Sequence, residues 1–379
     1  MQHNQHNPAF RFVRDPVAFN KNTERELLQY CLGATLYMPA TIDIVDKIID
    51  KKTPHLTSMV MCFEDAIQES DLPNAEKNVI RHLDVISSLL EKGSITHDDI
   101  PLTFLRPRTP QQFHSFLQKL QPRHADVLSG FVFPKFQMDN AREYFSHLAN
   151  LNREFDVQLY GMPILEGRSL AHKETRVREL HAIQEILEEY RCIVLGIRVG
   201  ATDFSSMFGL RRGIDYSIYD IVTVRDCLSD ILNFFTREGE GYVVSAPVWE
   251  YFLADRKQDL GNLLRVGNVR HSLFQRNTIV NEAVDGLLRE LILDIANGFV
   301  GKTVIHPSHI KYVNSMQAVT SEEYEDASQI VQSAGGVFRG GNKMNESNPH
   351  RNWAKRIMVR GDVYGVVKDQ SSYLELFSG

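Results

Sequence analysis

The sequence predicts an α/β fold, a TIM (β/α)8 barrel with a C-terminal extension, on three observations. Eight short apolar runs read as strands buried on both faces, amphipathic stretches separate most of them, and charged residues stand at the ends of most runs.

The runs, in order, are ATLYMPA (34–40), LTSMVMCFEDA (56–66), PLTFLRPR (101–108), LSGFVFPKF (128–136), VQLYGMPILEG (157–167), CIVLGIRVGATDF (192–204), GYVVSAP (241–247) and GKTVIHP (301–307). They are rich in Val, Ile, Leu and Phe, and most lack a clean alternation, as strands covered on both faces do. Residues 75–93 place apolar side chains three and four apart and end on Gly93, which suits a helix C-cap. Residues 172–190 and 281–298 repeat that pattern. Eight such strands with helical crossovers favour a closed barrel over an open sheet, and no GxGxxG follows the first run to support a doubly wound alternative. Residues 1–22 read as an arm, 23–319 as the barrel with a charged insertion at about 248–275, and 320–379 as the extension, which carries a glycine-rich turn at Gly335, Gly336, Gly340 and Gly341.

Composition excludes several classes. With 379 residues, 43% hydrophobic and 24% charged, the chain has the make-up of an ordinary globular protein. Its net charge of −6 and the lack of a basic stripe argue against nucleic acid as a partner. No apolar run approaches the ~20 residues that cross a membrane. Cys31, Cys62, Cys192 and Cys227 are widely spaced, and the opening MQHNQHN has no apolar signal core, so a cytoplasmic protein with reduced thiols is expected.

Barrel active sites lie at the C-terminal ends of the strands. There the second run offers Glu64 and Asp65, the third Arg106, the fourth Lys135, the fifth Glu166, the sixth Asp203 and the eighth His306. Carboxylates from two strands, completed by water and substrate oxygens, suit a hard octahedral cation such as Mg²⁺, and Glu166 with Asp203 is the candidate metal pair. Either residue alone could instead cap the following helix. Arg106 is a candidate to hold a substrate oxygen and stabilise an enolate, or else forms a salt bridge in the mouth. Glu64 and Asp65 are candidates for proton transfer or for orienting Arg106, or form a structural ion pair. Lys135 is a candidate substrate-carboxylate ligand, since the nearby acids argue against a Schiff-base lysine. Arg211 and Arg212 could meet a phosphate or second carboxylate, and Arg265, Arg270 and His271 invite the same idea. His306 reads more readily as a packed strand-end histidine than as a base.

Taken together, LYMPA, CFEDA, RPR, FPK, PILEG, GATDF and GFVGKTVIHP resemble, in collinear order over about 34–314, the HpcH/HpaI aldolase and citrate lyase β-subunit family. The resemblance implies Mg²⁺ bound through Glu166 and Asp203, and a substrate engaged by Arg106. Asp65 stands where the aldolase branch usually has His, which points to the citrate lyase-like side. It further implies trimers or hexamers, and a C-terminal segment that supplies an acid to a neighbouring subunit near G-x-M-x-D-x-P. Here that stretch is GNKMNESNPH (341–350), with Glu346 in place of Asp and one extra residue before the proline. The chain looks like a divergent C–C bond lyase branch, of the type associated with tellurium-resistance and stress gene clusters. The expected function is Mg-dependent cleavage or formation of a carbon–carbon bond beside a carbonyl, through a metal-stabilised enolate of a 2-oxo acid or acyl thioester. A malate synthase-like condensing enzyme and a non-catalytic ligand-binding or scaffold barrel are the alternatives.

Overall fold

The computed structural model describes residues 1–50, 52–239, 241–252, 273, 279–333, 337–340 and 343–378, with 337–340 and 343–347 described by backbone alone. Eight parallel strands form the centre: β1 (Ala34–Pro39), β2 (Ser58–Cys62), β3 (Leu102–Arg106), β4 (Leu128–Phe133), β5 (Tyr160–Leu165), β6 (Ile197–Val199), β7 (Val244–Ser245) and β8 (Lys302–Val304). They pair in the order β7-β6-β5-β4-β3-β2-β1-β8. A bridge between Ala246 and Lys302, with Thr303 N donating to Ala246 O at 3.1 Å, joins the two ends and closes a TIM barrel.

Each apolar run holds one strand, though the sixth is much shorter than its run. Arg191–Ile193 is a 3₁₀ turn and Ala201–Met207 already a helix, which leaves three strand residues between them. The helix predicted from residue 75 begins at Leu72, because Pro73 in its first turn presets the helical φ. Between β4 and the helices Pro110–Leu117 and Met138–Phe155 that cover it, Phe113, Phe131, Phe133, Tyr144 and Phe145 interlock, with Phe113 and Phe131 centroids 4.8 Å apart. The inside of the barrel is more polar. Ser58 Oγ donates to Thr35 Oγ1 at 3.2 Å, and Arg198 reaches Thr35 and Thr303 from β6.

Residues 1–22 fold onto the N-terminal ends of the strands. His3 lies against Phe19 and Tyr364 with its Nε2 2.9 Å from Cys31 O and Nδ1 3.3 Å from Thr57 Oγ1. The C-terminal part also packs on its own chain. Val366–Val367 pairs in parallel with Val319–Thr320, the helix Ser347–Tyr364 lies along Ser321–Gln332, and Phe377 meets Tyr312 at 5.0 Å between ring centroids. Most of the predicted insertion 248–275 lies outside the described residues, including Arg265, Arg270 and His271. Among the described residues no helix is long and apolar enough to cross a membrane.

Candidate active site

Five consecutive strands deliver their terminal side chains to one mouth. The β2 end supplies Glu64 and Asp65, β3 Arg106, the β4 turn Lys135, the β5 end Glu166, and the first turn after β6 Asp203. Arg106 is the hub. Its Nη2 lies 2.7 Å from Glu64 Oε2, 3.2 Å from Glu166 Oε1 and 3.3 Å from Asp65 Oδ2, while Nη1 faces Cys62 Sγ at 3.8 Å. Lys135 Nζ bonds Glu64 Oε1 and lies 3.7 Å from Asp65 Oδ1.

Two backbone features shape the mouth. Lys135 has a left-handed φ of 46°, unusual for a residue with a side chain, and its N–H donates to Glu166 Oε1 at 2.8 Å. A Cβ at Gly200 would sit 2.2 Å from Glu166 Oε2, so glycine there clears room for the carboxylate.

Burial sets the protonation pattern. It pushes Glu166 up to about 7, against the pull of Arg106 and with the help of Asp203. Burial and Asp65 raise Asp203 too, partly relieved by a hydrogen bond with Glu166. Glu64 is raised by burial and by its bond with Asp65. Asp65 also meets a burial penalty, but Glu64, Arg106 and Lys135 outweigh it and hold Asp65 below its ordinary range. Burial works against the Lys135 charge, yet Glu64 and Asp65 raise it overall, so this amine stays protonated.

Among the described residues no group of three or more His, Cys, Asp or Glu forms a ready metal cage. The donor set still fits a hard divalent ion. Glu166 and Asp203 would offer carboxylate oxygens, held close together with raised proton affinity, and Glu166 Oε1 is already held by Arg106 and the Lys135 N–H while Oε2 turns toward the Gly200 side.

A family model described as C–C bond lyase of the TIM-barrel fold matches residues 26–366. The chain belongs to that C–C bond lyase family. Among solved structures, protein CitE of Mycobacterium tuberculosis, in complex with magnesium, acetoacetate and coenzyme A, is 16% identical and superposes with a TM-score of 0.54 over 88% of this chain and 98% of its own. The citrate lyase β subunit of M. tuberculosis with oxaloacetate and magnesium is 17% identical, with a TM-score of 0.45 over 75% and 95%. The Haloferax volcanii malate synthase magnesium/glyoxylate complex is 12% identical, with a TM-score of 0.48 over 73% and 72%. No curated protein sequence matches.

Other candidates in this C–C bond lyase lie apart from the mouth cluster. Arg211 is exposed on the segment after the helix Ala201–Met207. Arg212 is buried, paired with Glu290 and Glu250, stacked 4.6 Å over Trp249, and donates to Val248 O at 2.8 Å, so both of its terminal nitrogens are engaged within the fold. His306 stacks on Phe252 at 4.3 Å, with Nδ1 2.7 Å from Ser308 Oγ. Glu346 ends a backbone hairpin strand paired with Val337–Gly340, and its side chain lies outside the described residues.

Reading the sequence by strand ends alone missed the Lys135 N–H, Gly200, Tyr37 and Arg198. A signal existed for the last two, since a tyrosine and an arginine inside apolar runs face either solvent or a barrel interior.

Proposed function

We propose that this C–C bond lyase cleaves, or forms in reverse, a bond beside the carbonyl of a small 2-oxo acid or acyl thioester, with Mg²⁺ held by Glu166 and Asp203. The observation that carries the reading is that pair: two adjoining carboxyl groups, both raised by burial, beside a shared guanidinium. CitE of M. tuberculosis, which carries magnesium, acetoacetate and coenzyme A on the same fold, supports it.

A divalent ion at the pair would supply Lewis-acid polarisation of the carbonyl, on the order of several kcal/mol of charge stabilisation. Arg106 donates to the oxygen that gains charge, and losing one such donor costs about 10²–10³ in rate. Lys135, protonated and half-exposed, holds a substrate carboxylate at the rim. Asp65 stays ionised at neutral pH and accepts the substrate's hydroxyl proton. The carbon–carbon bond then breaks, its electron pair passes into the enolate, and the enolate carbon takes up a proton.

The same reading, in line with the resemblance to the citrate lyase β-subunit family, makes the protein a cytoplasmic trimer or hexamer whose extension carries Glu346 toward a neighbouring subunit. Exchange of the methyl protons of pyruvate into deuterium oxide tests the enolisation step. Exchange that requires Mg²⁺ and falls at least a hundredfold in Asp203→Asn is expected. No exchange with pyruvate, oxaloacetate or acetyl thioesters would favour a non-catalytic barrel.

A further inference from the structure

Inside the barrel, below Arg106, Arg198 is 1% exposed and has no carboxylate partner among the described residues. Its Nη2 donates to Thr303 Oγ1 at 2.7 Å, its Nη1 to Thr35 Oγ1 at 3.3 Å, and its Nε has no partner. A buried guanidinium is ordinarily paired with an acid, so a lone one held by two hydroxyls calls for an explanation. Its face lies against the ring of Tyr37, with Cζ 5.3 Å from the centroid.

Tyr37 comes from β1, where it pairs in register with Val60, and is only partly buried. Its hydroxyl has no hydrogen-bond partner among the described residues. Tyr37 stands two residues before Pro39, which is level with Cys62 and, across β2, with Arg106, so it lies one step deeper in the barrel than the mouth, and Arg198, Arg106 and Glu166 all act on its phenol. Burial raises the phenol overall, so it keeps its proton at neutral pH and is a donor rather than a base.

Charge balance points the same way. Among the described residues, the cations that pair with or act on Glu64, Asp65, Glu166 and Asp203 in these contacts are Arg106 and Lys135, so a bound divalent ion would bring that set to neutrality. Arg198 would then add one surplus positive charge against the ring of Tyr37.

We propose that Tyr37 is a substrate-binding residue whose hydroxyl donates a hydrogen bond to a carboxylate or enolate oxygen at the floor of the mouth, and that Arg198 is the positioning residue that holds Tyr37 and supplies the charge. This deepens the proposed function and rests on its carboxylate-binding mouth. The ligand class is a small planar oxyanion. A purely structural Arg198 would need an acid partner in the barrel, and none is present among the described residues.

Oxalate, a planar dianion shaped like the enolate of a 2-oxo acid, is the probe. Its dissociation constant is measured with and without Mg²⁺ for the wild type, Tyr37→Phe, Arg198→Met and the double variant, alongside Mg²⁺ affinity without oxalate. Tyr37→Phe weakens oxalate about tenfold, as loss of one hydrogen bond to a charged group does, and leaves Mg²⁺ affinity within about twofold. Arg198→Met gives a similar loss, the double variant is no worse than the more affected single one, and the thermal midpoint of Arg198→Met does not fall because no acid is orphaned. Arg198→Lys, which keeps the charge but not the planar fork, replaces Arg198→Met if that variant fails to fold. Equal oxalate affinity in wild type and Tyr37→Phe, additive losses in the double variant, or no oxalate bound under either condition would each overturn the proposal. A wild type that binds no Mg²⁺ yet shows the Tyr37 effect on metal-free oxalate would instead sink the magnesium reading and leave this one standing.

Discussion

Arg106 serves three carboxylates with one guanidinium, two of them buried, and this sharing decides what its loss does. Arg106→Met strands Glu166 without its cation and leaves Glu64 with Lys135 alone, so a destabilisation of about 3–5 kcal/mol is expected by chemical denaturation, besides lost turnover. Arg106→Lys keeps the charge but not the fork, so it retains most of the stability while catalysis still falls; equal stability losses in both would show that charge is not what matters. Glu166 and Asp203 stood out in the sequence because each follows an apolar run and precedes a turn. Tyr37 and Arg198 did not, because a strand-end rule looks only at the rim, whereas these two face the barrel axis from within their strands. The Lys135 N–H could not be read at all: it depends on a left-handed φ that the sequence PKF does not announce.

At the scale of elements, the turn from β6 into the helix Ala201–Met207 is the tightest point of the site. A methyl group at Gly200 would meet Glu166 Oε2, a carboxylate fixed by Arg106 and by backbone. Gly200→Ala is therefore expected to fold and to lose at least tenfold in Mg²⁺ affinity by calorimetry; unaltered affinity would mean Glu166 has room to retreat. Strand positions were legible because strands buried on both faces are continuous apolar runs. Their ends were less so. The GIRVGATDF stretch looks like one long strand, but the Gly200 turn and a new helix cut it to Ile197–Val199. The buried cluster of Lys302 with Glu290 at 2.9 Å and Asp294 at 2.8 Å, which ties β8 to the helix Glu282–Ala296, also went unread. Its acids sit on a helix face that looks solvent-directed by pattern.

Across the whole molecule, several histidines are buried in neutral form. Burial lowers His3 to about 3, and His82 and His309 to about 4. A group lowered on folding stabilises the native state above its unfolded value, near 6.5, and that stability is lost as pH falls toward the folded value. At pH 5 each contributes roughly 2 kcal/mol of destabilisation relative to neutral pH. Glu166, raised to about 7, acts in the opposite direction, losing its contribution as pH rises from its unfolded range toward 7, so the histidine share is best read by difference. His82 has no hydrogen-bond partner at either ring nitrogen among the described residues. His82→Leu should therefore flatten the acid limb of stability against pH by about 2 kcal/mol at pH 5; an unchanged limb would place the acid sensitivity elsewhere.

The barrel closes so that carboxylates on neighbouring strands meet, and the proposed function has a divalent ion bind where they do. The most direct measurement is calorimetric titration of the protein with Mg²⁺ at pH 6 and pH 8, for the wild type and for Glu166→Gln and Asp203→Asn. One ion per chain, proton release at pH 6 but much less at pH 8, and at least a tenfold loss of affinity in each folded variant are predicted. Affinity that survives both substitutions would contradict the assignment of Glu166 and Asp203 as the metal pair.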